Sequence, residues 1–270
     1  MKKLFCALLI ALLLLASFAC STTAQPAAES AAPSVKPTEA PTPETTAVVA
    51  EAIVFTDPYF EDAVRIAMGK PDGDITTADA KALTVLSLAN ADWEEANAEN
   101  GGIKDISDLK YFPNLTELHL DYNAFADFSP VSTLTNLTVL TFNGVRANDL
   151  TPLSSLTKMV TLVFDWSYSD GVDFKGYGNL DFMRNMKDLE IFEAKKAGIT
   201  DISVLTGLPK LWSVFLDENL ITDISPLAQI KTIREFLIAD NPIADYSVLE
   251  PVHEVFPNLD DGFQPNVDLK

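Results

Sequence analysis

The side chains able to do chemistry in this sequence are few and lie far apart. Its 270 residues include two histidines, His119 and His253, and two cysteines, Cys6 and Cys20. None of the patterns that place a nucleophile, a phosphate or a metal occurs, such as G-x-S-x-G, a Gly-rich phosphate loop or HExxH. We therefore expect no catalytic site, no metal site and no cofactor. A hydrolase that uses dispersed carboxylates remains as the enzymatic alternative.

Cys20 is the cysteine with a predicted chemical role. It follows two lysines and the apolar run Leu4–Ala19, which is short for a membrane span and ends in the small-residue stretch "LLASFAC". This segment resembles a bacterial lipoprotein signal, although Ser17 and Phe18 depart from the usual pattern. The resemblance implies a signal peptide at 1–19, lipid attachment at Cys20, and export to the outer face of the bacterial cytoplasmic membrane. The alternative is a plain secretory signal that leaves the cysteine unmodified.

The charge of the chain limits its partners. The formal net charge is −20, and such a surface repels nucleic acid and anionic lipid headgroups. We therefore expect no nucleic-acid partner, and membrane contact through a lipid anchor only. Residues 20–52 are rich in Ala, Pro, Thr, Ser and Glu and have no aromatic residue, so they predict a disordered tether.

A repeated pattern fills most of the remaining sequence. Six copies begin at Pro113, Thr135, Thr157, Lys187, Pro209 and Lys231. The step between them is 22 residues, except for one step of 30 between the third and fourth copies. A fixed period of this size with the pattern L-x-x-L-x-L-x-x-N-x-I is typical of leucine-rich repeats, in which each copy completes the core of its neighbour.

Each position of the repeat has a structural role. The alternating x-L-x-L-x segment predicts a short strand with its leucines inside, and successive strands form a parallel concave sheet. The asparagines that follow, at Asn123, Asn219 and Asn241, can bond backbone groups where the chain turns. Val145 and Ala197 replace this asparagine, which predicts weaker second and fourth copies. The "DISPL" segment predicts a 3₁₀ turn on the convex side, with Ser225 as its N-cap.

The 22-residue period with I-x-D-I-S-P-L resembles the internalin-like leucine-rich repeats of bacterial surface proteins, over about residues 55–252. The resemblance implies an α/β solenoid with a parallel concave sheet, short 3₁₀ turns on the convex side and a small helical cap. It divides the chain into a cap at 53–82, repeats at 83–252 and a closing segment at 253–270. Asp57 and Pro58 predict the start of the first cap helix, and the spacing from Thr76 to Asp79 predicts a capping box for the second.

Outward-pointing positions of the strands suggest a binding face. Four of them on the later copies are apolar, namely Val163, Ile191, Phe215 and Leu237. Exposed apolar patches often mark contact sites, although neighbouring side chains could also cover these four. Lys195 and Lys196 stand out in an acidic protein, and Asp165 and Asp217 on the adjacent copies predict a cross-strand charge ladder around Lys195.

The third copy carries an insertion of eight residues. It brings Trp166 and Tyr168 beside Tyr122 at the edge of the sheet, and insertions in a solenoid often lie on its binding face. The alternative is a loop that folds its aromatic residues back onto the solenoid. We expect the concave face to bind a protein ligand at the cell surface. A second hypothesis is a carbohydrate or cell-wall module that uses the insertion at 165–176.

Overall fold

The computed structural model describes residues 51–90, 102–145, 147, 149–165 and 176–249. The predicted signal, Cys20 and the tether up to residue 50 lie outside these residues. So do most of the insertion, with Trp166 and Tyr168, and the predicted closing segment. The last two residues of the predicted tether, Glu51 and Ala52, are described and pair with the backbone at Thr76 and Thr77. Within the described part of the chain, no helix combines the length and the apolar character needed to cross a bilayer.

A parallel sheet of seven short strands forms one face of the solenoid, as predicted. Its strands lie side by side in the order in which they occur along the chain. The strands are β1 (Val85–Ser87), β2 (Glu117–His119), β3 (Val139–Thr141), β4 (Thr161–Val163), β6 (Ile191–Glu193), β8 (Ser213–Phe215) and β9 (Glu235–Leu237). The register never slips, so each strand residue lies beside its counterpart in the next copy. Two further strands, β5 (Gly178–Asn179) and β7 (Ile199–Asp201), form a separate pair.

The core consists of stacked layers that neighbouring copies share. The central residue of every strand in the sheet points inward and is at most 4% exposed. Four phenylalanine rings contact one another across consecutive copies, Phe128, Phe142, Phe164 and Phe192, with centroid separations of 4.7, 4.9 and 5.5 Å. Such contacts add to the free energy gained by burying the rings. The sheet therefore rests on a continuous apolar core.

Two helices cap the first layer. Helix α1 (Pro58–Met68) begins after Asp57, and α2 (Thr77–Ala82) begins with the predicted capping box of Thr76 and Asp79. One carboxylate oxygen of Asp57 accepts hydrogen bonds from the first turn of α1, at 2.9 and 3.2 Å. The other accepts from the N–H groups of Lys104 and Asp105, at 2.8 and 3.1 Å. A single buried side chain thus starts the cap helix and ties it to the loop of the first repeat.

The convex turns follow the prediction with one correction. Six are 3₁₀ helices: Ser107–Tyr111, Ser129–Thr133, Thr151–Ser155, Asp181–Asn185, Ser203–Gly207 and Ser247–Leu249. The turn in the fifth copy, α3 (Ser225–Gln229), is a short α-helix. The prediction of Ser225 as its N-cap is wrong, because Ser225 is the first helical residue. The N-cap position is Ile224, which makes no side-chain capping hydrogen bond. Asp223, one residue earlier, supports the turn, since its Oδ1 accepts the Ser225 N–H at 2.9 Å.

Candidate binding face

The outward side chains of the seven strands form two rows, which we call the concave face. The first row starts each strand and runs Val85, Glu117, Val139, Thr161, Ile191, Ser213 and Glu235. The second ends each strand and runs Ser87, His119, Thr141, Val163, Glu193, Phe215 and Leu237. Since the backbone register fixes both rows, their side chains stand at the spacing of the strands, about 4.8 Å.

The four apolar candidates lie together on the last four strands of this face. Val163, Ile191, Phe215 and Leu237 occupy β4, β6, β8 and β9, and each is partly buried. Neighbouring side chains therefore cover part of their surface and leave the rest accessible. In the second row, the first three strands carry Ser87, His119 and Thr141, whereas β4, β8 and β9 carry Val163, Phe215 and Leu237. We call these two parts of the concave face the polar half and the apolar half.

Lys195 contributes to the cover of the apolar half. Its ammonium lies 2.8 Å from a carboxylate oxygen of Glu193 and 5.3 Å from the ring centroid of Phe215. The second distance is within the range of a cation–π contact. Its nearest acidic partner is thus on its own strand segment rather than in the predicted cross-strand ladder. It nevertheless attracts the carboxylates of Asp165 and Asp217, and this attraction opposes the rise in their pKa values that burial causes.

A ladder of side chains follows the strand ends, and the sequence analysis did not identify it. Asp121, Asn143, Asp165 and Asp217 each accept a hydrogen bond from the backbone N–H one copy further on, at 2.8, 2.6, 2.7 and 2.9 Å. Lys195 occupies the corresponding place in the fourth copy. The repeated Asp or Asn two residues after each strand was the signal for this ladder, because both side chains carry an oxygen acceptor.

The next residue in each described copy bends the chain in the left-handed region. Tyr122, Gly144 and Lys196 have φ angles of 58°, 72° and 52°. A Cβ atom on Gly144 would lie 2.8 Å from Cδ1 of Tyr122, so the tyrosine ring rests on the space that glycine leaves. Burial raises the pKa of Tyr122, with contributions from the nearby carboxylates of Asp121 and Asp165. Tyr122 therefore reaches across the second copy towards the start of the insertion.

The polar half of the face contains a network that the sequence analysis missed. Nε2 of His119 lies 2.8 Å from Oε1 of Glu117, and Nδ1 lies 3.0 Å from Oγ1 of Thr141. The Thr141 hydroxyl donates to Oδ2 of Asp121 at 2.5 Å. Because this hydroxyl donates to a carboxylate, the histidine does not withdraw its proton, and the network lacks an activated nucleophile. It joins β2 to β3. In the described residues, no three His, Cys, Asp or Glu side chains are placed to hold a metal ion.

Asp165 is a buried carboxyl group at the point where the sheet meets the insertion. The residue is 9% exposed. Burial and the neighbouring Glu193 carboxylate raise its pKa to about 7, against the lowering effect of its hydrogen bond from the backbone of Lys195. A carboxyl group with this pKa exchanges its proton near neutrality.

The segment that follows the insertion packs closely against the fourth copy at a pair of glycines, Gly176 and Gly198. A Cβ atom on Gly176 would lie 2.5 Å from the Cα of Gly198, so a larger residue at Gly176 would force the two segments apart. The next residue, Tyr177, donates its N–H to the carbonyl of Ala197 at 3.0 Å and its hydroxyl to the carbonyl of Val145 at 2.9 Å. The second and fourth copies have Val145 and Ala197 in place of the repeat asparagine, and the backbone carbonyls of these two residues accept hydrogen bonds from Tyr177.

Comparisons with known proteins found relatives among solved structures. No family model and no curated protein matches the chain. An internalin of Listeria monocytogenes, InlF, matches with a TM-score of 0.57 and 26% identity, over 76% of this chain and 63% of its own length. Internalin C2 of the same species matches with a TM-score of 0.57 and 26% identity, over 78% of this chain and 96% of its own.

The chain thus spans just under two thirds of the length of the first of these internalins and nearly all of the second. Both matches cover about three quarters of the chain. The repeat period, the unbroken parallel register and these structural matches agree with one another. The chain is an internalin-like leucine-rich-repeat protein.

Proposed function

We propose that this protein is a non-enzymatic protein-binding module, anchored outside the bacterial cytoplasmic membrane, that uses the concave face of its solenoid. The observation that carries the proposal is the group of four partly exposed apolar residues, one on each of β4, β6, β8 and β9. Positions on the outer side of a strand can hold polar residues without loss to the core. One apolar outward residue on each of four neighbouring strands of an acidic protein therefore favours a contact surface.

The sheet presents these residues in a preorganised form. Each strand is hydrogen-bonded to its neighbours in register and rests on the stacked core, so little conformational entropy is lost when a partner docks. Four strands at about 4.8 Å spacing span roughly 15 Å. This is the size of the central anchor cluster of an interface, around which a polar rim excludes water. Glu193 and Glu235 provide anionic groups beside it.

The remaining candidate residues surround this cluster. Lys195 is fixed over Phe215, and Lys196 follows it at the left-handed turn, where its ammonium lies 4.0 Å from a carboxylate oxygen of Glu218. Tyr122 rests on Gly144 towards the insertion. We include Trp166 and Tyr168 in the proposed site from their places in the sequence. The export signal, lipid attachment at Cys20 and the tether at 20–52 complete the proposal.

A carbohydrate or cell-wall ligand is the second candidate. It is favoured by the Tyr122 ring, which is only partly buried and packs against Gly144, where an added Cβ would lie 2.8 Å from Cδ1 of the ring. Aromatic rings of this kind offer an apolar face and a polar tip. A carbohydrate site would use Tyr122 and the insertion, and it would not need the four apolar residues on β4, β6, β8 and β9.

The experiment that separates these candidates is ligand capture with the mature chain carrying Cys20→Ala. We expect the parent to capture a surface protein, and Phe215→Ala to lose it. Ile66→Ala, which removes an 82% exposed apolar side chain from the cap helix, serves as the matched control. Capture that survives Phe215→Ala, together with binding on a glycan array that Tyr122→Ala abolishes, would instead support the carbohydrate ligand.

A further inference from the structure

Cations are concentrated along one edge of the solenoid. In each copy a short segment leads from a convex turn into the strand, and we call the stack of these segments in the third to sixth copies, 157–160, 187–190, 209–212 and 231–234, the entry edge. It carries five cations in a protein of −20 formal charge: Lys158, Lys187, Lys210, Lys231 and Arg234. The equivalent segments of the first two copies contain no charged residue. The edge is therefore basic in the same four copies that form the apolar half.

Two of the five cations are held against the edge by neutral acceptors. The Lys158 ammonium donates to Oδ1 of Asn136 one copy earlier, at 2.8 Å. The Lys187 ammonium donates to the carbonyl of Gly207, at the end of the next convex turn, also at 2.8 Å. Hydrogen bonds to neutral oxygens orient these exposed side chains and leave their positive charge uncompensated. Both ammonium groups can therefore pair with an anion that approaches from solvent.

The other three cations differ in their compensation. The ammonium of Lys210 lies 2.7 Å from a carboxylate oxygen of Asp188. Asp188 and, more weakly, Glu190 raise the pKa of Lys210, so both carboxylates of the entry edge act on this lysine. Lys231 and Arg234 are exposed, and neither forms an ion pair within the described part of the chain. The entry edge thus has an excess of positive charge.

A partly exposed tryptophan joins the entry edge to the concave face. The Trp212 N–H donates to the carbonyl of Glu190 at 3.0 Å, and the Arg234 N–H donates to the carbonyl of Trp212 at 2.8 Å. The three residues therefore lie side by side on neighbouring copies, and Trp212 immediately precedes β8. Glu235, which follows Arg234, bonds the Ser213 hydroxyl of β8 at 3.3 Å. Trp and Arg are enriched among the residues that dominate binding at protein interfaces.

The opposite edge of the solenoid is acidic for a structural reason. The segments that lead from the strands to the convex turns carry a repeated aspartate, at Asp127, Asp149, Asp201, Asp223 and Asp245. Each accepts the backbone N–H two residues later, at 2.8 or 2.9 Å. The fold thus explains this acidic row. It does not explain the lysines, because Asn114 and Asn136 occupy the places of Lys158 and Lys210 in the first two copies.

We propose that the entry edge binds an acidic segment of the protein partner whose apolar surface docks on the apolar half. This inference rests on the function proposed above. Four copies at about 4.8 Å spacing span roughly 15 Å, which about five residues of an extended chain cover. Carboxylates of that segment pair with Lys187, Lys231 and Arg234, and an adjoining side chain packs on Trp212. A long polyanion such as nucleic acid fits less well, because the acidic remainder of the surface repels it on both sides.

Chemical-shift perturbation by NMR tests the edge on the mature chain with Cys20→Ala. The probes are two sets of synthetic peptides with the same apolar residues, one with glutamate and one with lysine at the remaining positions. We expect the glutamate peptides to shift the Trp212 indole N–H and the backbone signals of Lys231 and Arg234, and added salt to reverse these shifts. The net charge of the protein repels acidic peptides, so general attraction cannot produce this result. Unmoved signals with the glutamate peptides, or equal shifts with the lysine peptides, would overturn the proposal.

A double variant tests whether the cations of the edge are responsible. Lys231→Gln with Arg234→Gln should weaken binding of the glutamate peptides at least about threefold. The matched control, Lys81→Gln with Arg184→Gln, removes the same charge from exposed positions of the cap and of a convex turn. Equal losses in the two double variants would mean that net charge alone acts. A single-stranded oligonucleotide is the second polyanion, and edge shifts from it alone would assign the edge to nucleic acid and overturn the protein segment.

The purified protein recovered in the capture experiment separates this inference from the proposed function. We expect its affinity for the parent to fall as salt rises, and the entry-edge double variant to bind it more weakly and with less salt dependence. Parental affinity and salt dependence in that variant would overturn the inference, while loss of capture in Phe215→Ala would still support the concave face. Conversely, if the glutamate peptides bind the edge and Phe215→Ala retains capture, the edge stands and the proposed function fails.

Discussion

Asn219 shows how a single buried amide joins neighbouring copies. Its Oδ1 accepts the N–H groups of Ala197 and Ile199, each at 3.0 Å, and its Nδ2 donates to the carbonyl of Leu216 at 2.9 Å. We expect Asn219→Ala to lower the free energy of unfolding by about 1–3 kcal/mol, because buried backbone groups lose their partners. Urea unfolding measures the change. Asn136→Ala, at an exposed position of the second copy, is the control, and equal losses in the two variants would contradict this role.

The raised pKa of Asp165 also affects stability. Its value of about 7 in the folded chain lies above the ordinary value of 3.8, so folding favours the protonated form. The stabilising contribution is complete below about pH 4 and is lost as pH rises through 7. We expect Asp165→Asn to be less pH-dependent and to gain up to about 4 kcal/mol over the parent between pH 4 and pH 8. Thermal unfolding across this range measures it, and parallel pH profiles would refute it.

Some residue roles were predictable because they depend on local chemistry alone. The asparagines after the strands have side chains that suit a turn, and Asn123, Asn219 and Asn241 all bond the backbone as predicted. The positions of Val145 and Ala197 were harder to predict. The Val145 carbonyl accepts a hydrogen bond from the Tyr177 hydroxyl, and the Ala197 N–H donates to Asn219. Both partners lie in other copies, so an analysis of one copy at a time cannot identify them.

The convex turns show how a structural element can be predicted with the wrong cap. Both Asp223 and Ser225 are good N-cap residues, and the sequence alone does not say which side chain reaches the backbone. In the structure Asp223 accepts the Ser225 N–H, and this hydrogen bond lowers the pKa of the carboxylate. We expect Asp223→Ala to lower Tm more than Ser225→Ala does. A larger loss for Ser225→Ala in differential scanning calorimetry would restore serine as the cap.

The strands were predictable as elements because each is fixed by alternation and by the period. The central residues of β2 and β8, Leu118 and Val214, are fully buried where the pattern puts them. The pair of β5 and β7 was not predicted. It forms beside the close contact of Gly176 with Gly198, which no repeated motif predicts.

At the scale of the whole molecule, the sequence predicted the solenoid but not the degree of cover on its concave face. Whether Phe215 is exposed depends on Lys195 in the preceding copy, and Lys195 in turn depends on Glu193. Three side chains from two strands decide the outcome together. An analysis that treats each position separately describes all three side chains only as pointing outward. It therefore could not decide between an exposed and a covered apolar face.

The anchor is a prediction about the whole chain that rests on its first residues. If Cys20 carries lipid, Cys20→Ala should release the protein into the soluble fraction or block its maturation, because a chain of −20 formal charge has little other attraction for anionic lipid. Membrane fractionation followed by immunoblotting measures this. Cys6→Ala, within the predicted signal, is the control, and unchanged fractionation of Cys20→Ala would count against the anchor.

The binding site is the last prediction, and it tests the whole face. Phe215 lies within the apolar half beneath the Lys195 ammonium, so Phe215→Ala removes an aromatic anchor without opening the core. We expect this variant, and Trp166→Ala at the insertion, to weaken partner binding by about 2 kcal/mol or more with little change in Tm. Glu117→Ala, on β2 in the polar half, should change binding by less than about 1 kcal/mol. Isothermal titration calorimetry measures all three variants. If both aromatic variants bound the partner with parental affinity, the concave face would not be the binding site, because the proposal places Phe215 and Trp166 together on this surface.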